Sequence, residues 1–208
     1  MRPFIKNAII FVLFVFAISD ITSCNRTTSN TATNENTAEE SPIYRNSNET
    51  KASSVYPPLN PVIADAQFEL VDGTKSKISD HKGKVVLVNL WGIWCGPCVA
   101  EMPALAQIQQ TYADKGFEVL GLNIGSDDAG TLENLDAIKT FAAKKQISYT
   151  LARVDHSMAT EFYKISKADV VPQSFLINRD GQLRGVFVGG GQSIINQINN
   201  NVQKALAE

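Results

Sequence analysis

Between residues 84 and 91 the chain carries Val85-Val86-Leu87-Val88 with no polar break, the mark of a strand covered on both faces and the best candidate for the centre of a sheet. Behind it, Met102, Leu105, Ile108 and Tyr112 recur at helical spacing within 95–112, and 117–124 reads as a second buried strand. Leu132, Leu135, Ile138, Phe141 and Ala142 mark a second helix. Ahead of these elements, an apolar stretch at 68–71 followed by Asp72-Gly73 and Ile78 predicts an opening hairpin. Residues 149–154 suit a short strand and 158–165 a short helix. Apolar runs at 175–177 and 183–188 flank Arg179-Asp180-Gly181, which predicts a hairpin, and Ile194, Ile198, Val202 and Leu206 predict a closing amphipathic helix. Strands alternating with helices, then a terminal hairpin, imply an α/β fold with a mixed central β-sheet flanked by helices on both faces. No internal repeat is present.

The N-terminal stretch follows another pattern. Arg2 and Lys6 precede an unbroken apolar run from Ala8 to Ile18, shorter than the roughly 20 residues a membrane-spanning helix needs but suited to an export signal. Ile21-Thr22-Ser23-Cys24 resembles a bacterial lipobox, in which the cysteine takes lipid and becomes the mature N-terminus. Lipidation of Cys24 also accounts for an odd cysteine count of three; the competing reading is an uncleaved anchor with an incidental cysteine. From Asn25 to Tyr56, Asn, Thr, Ser, Glu and Ala dominate, too polar to form a core, so this tract reads as a flexible spacer with a reach of ~30 Å. The expected organisation is thus a signal peptide at 1–23, a lipidated cysteine and linker at 24–57, and one folded domain at 58–208, tethered to a membrane through its N-terminal lipid.

Charge adds an exclusion. With 19 Lys and Arg against 21 Asp and Glu, net −2, nothing attracts a polyanion, and no nucleic-acid partner is expected. A monomer is expected.

The chemistry concentrates in Trp94-Cys95-Gly96-Pro97-Cys98, at a predicted strand-to-helix junction. Unpaired amides at a helix start favour negative charge, so Cys95 should ionise more easily than a free cysteine and attack as the thiolate. Cys98, three residues on, falls on the same helical face within disulfide reach and deeper in the fold, placed to resolve a mixed disulfide. Gly96 would allow close approach, and Pro97 suits a first helical turn. Half of a zinc site and a structural disulfide are the bland alternatives. Zinc needs four ligands, and beyond this pair the domain offers only His81 and His156, both in polar surroundings that suggest surface positions. Neither alternative explains the aromatic residue before the pair and the Gly-Pro inside it. No metal and no cofactor are expected. Trp91 and Trp94 are expected to pack around the thiols, and Gly189-Gly190-Gly191 reads as a turn, lacking the lysine of a phosphate loop.

The segment from Val88 to Cys98 resembles the active-site signature of the thioredoxin superfamily, and the resemblance extends over most of the chain after about Val62. Within that superfamily the chain is most similar to the exported TlpA/ResA-like thiol-disulfide oxidoreductases. Asn89 stands where thioredoxins proper carry a buried Asp, and Glu101-Met102-Pro103 resembles that branch's C-x-x-E-x-P continuation. The resemblance implies a thioredoxin-like fold, with Pro103 kinking the active-site helix. Val171-Pro172 resembles the family's cis-proline loop, whose backbone pairs with an extended substrate peptide. Because an amide at Asn89 cannot accept the proton of Cys98, Glu101 is the candidate base; a merely solvated helix carboxylate is the alternative.

The function this implies is exchange between dithiol and disulfide by Cys95 and Cys98, on the outer side of the cytoplasmic membrane or in the periplasm. Cys-Gly-Pro-Cys resembles the reducing members, near roughly −270 mV rather than about −120 mV, so protein-disulfide reduction is the expected direction. The family points to disulfide-containing exported proteins as clients, apocytochrome c among them, and to a membrane thiol transporter of the DsbD/CcdA kind as electron donor. Two rivals remain. One is a peroxiredoxin-type peroxidase, whose Pro-x-x-x-Thr-x-x-Cys context is absent, and the other a Cu(I) chaperone, whose relatives on this fold favour Cys-x-x-x-Cys with a distant His.

Overall fold

A computed structural model describes residues 57–126 and 131–208. The export segment, Cys24 with its lipobox and nearly all of the spacer lie outside the described residues. Among the described residues no helix is long and apolar enough to cross a membrane.

In chain order the elements are α1 (Pro61–Ala64), β1 (Gln67–Leu70), β2 (Lys75–Lys77), a 3-10 turn (Ile78–His81), β3 (Val85–Trp91) and α2 (Gly96–Tyr112). A second 3-10 turn (Ala113–Lys115) leads to β4 (Phe117–Asn123), α3 (Leu135–Lys145), β5 (Thr150–Arg153), α4 (His156–Ser166), β6 (Gln173–Ile177), β7 (Leu183–Val188) and α5 (Gln192–Leu206). The strands form one sheet in the order β2-β1-β5-β4-β3-β6-β7. β3, β4 and β5 run parallel, as strands joined through crossover helices must, while the β1–β2 and β6–β7 hairpins add antiparallel pairs at the two sides.

Every residue of β3 is buried, and its alternation divides the core in two. Val85, Leu87 and Trp91 face α2, α3 and α5, packing with Met102, Leu105, Ile138, Ile198 and Val202. Val86, Val88 and Leu90 face α1 and α4, packing with Ile63, Met158 and Phe162. A strand buried on both sides has no polar face to alternate, which is why its sequence reads as a continuous apolar run.

Three positions depart from the expectations. The second helix begins at Leu135, because the Asn134 side chain accepts a hydrogen bond from Asp136 N (2.7 Å) and caps it; Leu132 lies outside and is 44% exposed. The buried line of α5 runs through Ile195, Ile198, Val202 and Ala205, with Ile194 and Leu206 only at its margin. A strict four-residue spacing drifts around a helix of 3.6 residues per turn, so no single face can hold all four expected positions. His81 is not a free surface side chain: its Nδ1 meets the Glu118 carboxylate, and its Nε2 lies 3.3 Å from Ser76 Oγ. His156 is exposed, as expected.

The helix α4 is fixed to the sheet by Phe162, whose ring centroid lies 4.7 Å from that of Phe175, both rings fully buried. Phe162→Ala is expected to cost about 3–5 kcal/mol of stability in denaturant titration. A loss under about 1 kcal/mol would show that this side of the sheet does not hold the fold.

Candidate active site

β3 ends at Trp91, and four residues later Cys95 caps α2 in an extended conformation (φ −80°, ψ 96°), its Sγ accepting a hydrogen bond from Cys98 N at 3.2 Å. Gly96 and Pro97 occupy the first turn, where the missing proline N–H costs nothing. Cys95 and Cys98 are joined as a disulfide with their Cα atoms 5.3 Å apart. Both are buried, 4% and 0% exposed, so Cys95 is less open than the sequence suggested; the depth order of the two is as expected. Around Gly96 the space is open, with nothing within 4 Å of where a Cβ would stand, so no close approach within the chain demands glycine there. Trp94 does not pack over the sulfurs as a buried residue: it is 46% exposed, with Nε1 donating to Gly125 O at 2.9 Å. Trp91 is the fully buried one, stacked on Phe141.

The Val171–Pro172 peptide is cis, and Val171 O lies 3.7 Å from Cys95 Sγ. The loop ahead of this proline is fastened by Gln173, whose Nε2 donates to Ala168 O (2.9 Å) and Val170 O (2.6 Å), and on the other side Gly189 N donates to Pro172 O (2.9 Å).

Glu101 stands almost one helical turn after Cys98 and is 4% exposed, which excludes a merely solvated carboxylate. Asn89 Nδ2 donates to Glu101 Oε1 (2.9 Å) and to Ser174 Oγ (3.0 Å). Burial pushes the Glu101 carboxyl up to about 7, with the Asn89 hydrogen bond partly opposing the shift. A Cβ at Gly190 would stand 3.4 Å from Glu101 Oε2 and 3.3 Å from Pro172 Cγ, so the glycine run closes over the carboxylate where a larger residue would press on it.

The redoxin family model matches residues 58–203. The chain belongs to the redoxin family. This redoxin is 33% identical over 113 residues to the thiol-disulfide oxidoreductase ResA of Bacillus thuringiensis, a stretch that covers 54% of this chain and 60% of the relative's length. It is 29% identical over 125 residues to the thioredoxin-like protein YneN of Bacillus subtilis, covering 60% of this chain and 68% of that one. Among solved structures, a thioredoxin-family thiol:disulfide interchange protein from Chlorobium tepidum superposes with a TM-score of 0.58 at 26% identity, over 76% of this chain and 99% of that one. The fold is thioredoxin-like.

The redoxin thus brings Cys95, Cys98, Gly96, Pro97, Val171 and Pro172 together at one end of the sheet, with Asn89 and Glu101 directly beneath. Sequence reasoning missed Gln173 and Gly190. The signal for Gln173 was an amide between Pro172 and the apolar run at 175–177, in the approach to a core strand, where an apolar residue would be ordinary.

A carboxyl raised from 4.5 to about 7 binds its proton more tightly in the folded state than in the unfolded one. Glu101 therefore leaves stability untouched below the unfolded value and erodes it as pH climbs from about 4.5 through about 7, in total on the order of 3 kcal/mol. Denaturation of the oxidised redoxin across that window should show this loss, and Glu101→Gln should flatten it. An identical slope in the two proteins would mean the carboxyl is not held in a raised state.

Proposed function

We propose that this redoxin is an exported, membrane-tethered thiol-disulfide oxidoreductase that reduces disulfides of proteins outside the cytoplasm by dithiol exchange at Cys95 and Cys98. The observation that carries the reading is the asymmetric pair at the start of α2, with Cys95 on the cap beside Val171 O and Cys98 fully buried behind it. The similarity to ResA supports the same activity.

In the reduced protein, the Cys95 thiolate attacks one sulfur of a client disulfide. A Cys95–client mixed disulfide forms, and the other client sulfur leaves as a thiolate that takes a proton from water. Cys98 then gives its proton to Glu101 and attacks Cys95 Sγ; the Cys95–Cys98 bond forms, and the client's second sulfur departs and is protonated in turn. The client gains two electrons and two protons, and the protein is left in the disulfide form seen here. A dithiol donor, of the membrane transporter type expected from the family, restores it. Asn89 orients the Glu101 carboxylate, and Gly190 with Pro172 covers it from bulk solvent on the loop side. The exposed Trp94, Val170 and Val188 border this end of the sheet and offer apolar surface to a protein client. Lipid at Cys24 and the spacer that follows would hold the domain off a membrane, within reach of exported clients such as apocytochrome c.

Cys98→Ala should arrest the cycle as a mixed disulfide at Cys95, which isolation from cells under acid quench would identify together with its client. Recovery of no protein adduct on Cys95 would count against a protein-disulfide substrate. Glu101→Gln should slow insulin-disulfide reduction roughly 10²-fold near neutral pH and remove the rise in rate as pH passes about 7. An unchanged rate and profile would eliminate the proton-transfer role.

A further inference from the structure

On the α2 side of the sheet, Asn89 of β3, Gly121 of β4 and Leu151 of β5 stand side by side in register. Gly121 has no side chain to fill its place in this row, and Leu151, Tyr149 and Trp91 lean over it, Leu151 Cδ2 only 2.6 Å from where a Cβ would stand. A Cβ there would lie 3.1 Å from Tyr149 Cε2 and 3.2 Å from Trp91 Nε1. Their polar ends are buried, and Tyr149 Oη, Trp91 Nε1 and Asn89 Oδ1 find no hydrogen-bond partner among the described residues. Orphaned buried polar atoms are costly, and three on side chains gathered around Gly121 on one face of the sheet mark a site for a polar occupant. The next neighbour is Glu101, held to Asn89 Nδ2, and its charge bears on the Tyr149 hydroxyl. The titratable groups nearest Glu101 are Cys98, three residues before it on α2, and Tyr149 from the segment entering β5; Asn89 of β3 donates to it, Ser174 of β6 meets Asn89, and the 189–191 loop approaches its Oε2 through Gly190.

Donors and acceptors here match one molecule. A water can accept two hydrogen bonds and donate two, and the cluster offers two donors, the Trp91 N–H and the Tyr149 O–H, with two acceptors, Asn89 Oδ1 and the Glu101 carboxylate. We infer that Tyr149, Trp91 and Asn89 bind a structural water that hydrogen-bonds to Glu101, making Tyr149 a positioning residue that tunes the carboxylate from behind. The inference rests on the proton role proposed for Glu101. Through the water, the Tyr149 hydroxyl strengthens the hydrogen bond that stabilises the ionised carboxylate, so Glu101 can be buried and still ionise near neutral pH.

The test is the pH profile of insulin-disulfide reduction by full-length protein, Tyr149→Phe and Glu101→Gln. Phenylalanine keeps the ring over Gly121 and removes only the hydroxyl. Tyr149→Phe is expected to shift the Glu101-dependent rise upward by about one pH unit, the scale of a hydrogen bond to a charged group. A Tyr149→Phe profile that superimposes on the unsubstituted one, while Glu101→Gln loses the rise, overturns this inference and leaves the Glu101 role standing. A rise retained in Glu101→Gln overturns both. A high-resolution crystal structure of the unsubstituted protein should show a water within hydrogen-bonding distance of Tyr149 Oη and Trp91 Nε1; a dry site there also overturns it.

Discussion

A helix that begins inside a fold leaves amide N–H groups pointing out of its first turn with no carbonyl to receive them, and something must accept from them. In this redoxin the acceptor is Cys95 Sγ, taking the Cys98 amide at 3.2 Å. The rest of the site follows from that cap. It puts one sulfur at the positive end of α2 and places the other one turn inside, where β3 and the core exclude water. The buried strand β3 makes this possible: it stops at Trp91, close enough for a short turn to deliver Cys95 to the helix start, and it carries Asn89 beneath the pair.

Glu101 is the costly part of the arrangement. An ionised carboxyl inside a protein core is unfavourable unless hydrogen bonds compensate, and here one amide, Asn89 Nδ2, is shared between Glu101 and Ser174. The resulting compromise leaves the carboxyl titrating near neutrality, which suits the proton transfer proposed for it and is expensive for stability above that pH. Gly190 matters for the same reason, since its backbone closes over Glu101 Oε2 and Pro172 with no room to spare.

Much of this was legible in the chain. The unbroken Val85-Val86-Leu87-Val88 run announced a strand covered on both faces, and the spacing of Met102, Leu105 and Ile108 announced the helix behind it. Cys95 and Cys98 are the two ends of one four-residue motif, so their proximity needed no tertiary information. The errors came where local pattern and tertiary context compete. Leu132 matched the helical period, but the Asn134 side chain accepts from the Asp136 amide and starts the helix after itself. The α5 stripe was right at Ile198 and Val202 but one residue off at each end, because a spacing of four drifts from the true helical period. Contacts between distant segments were least visible: the Glu101–Asn89 bond crosses from helix to strand, and the hold of Gln173 on the 168–170 loop depends on a side chain turning back toward its own approach.

The central claim is that the two sulfurs of the reduced protein are chemically unequal. Its most direct measurement is the pH dependence of alkylation by iodoacetamide, with each cysteine followed separately by peptide mass analysis. The account predicts that Cys95 alone reacts in the folded protein, with an apparent pKa below the roughly 8.5 of a free cysteine, while Cys98 stays protected until the chain is unfolded. Equal reaction of both thiols at the rate and pH dependence of free cysteine, or faster reaction at Cys98, would contradict it.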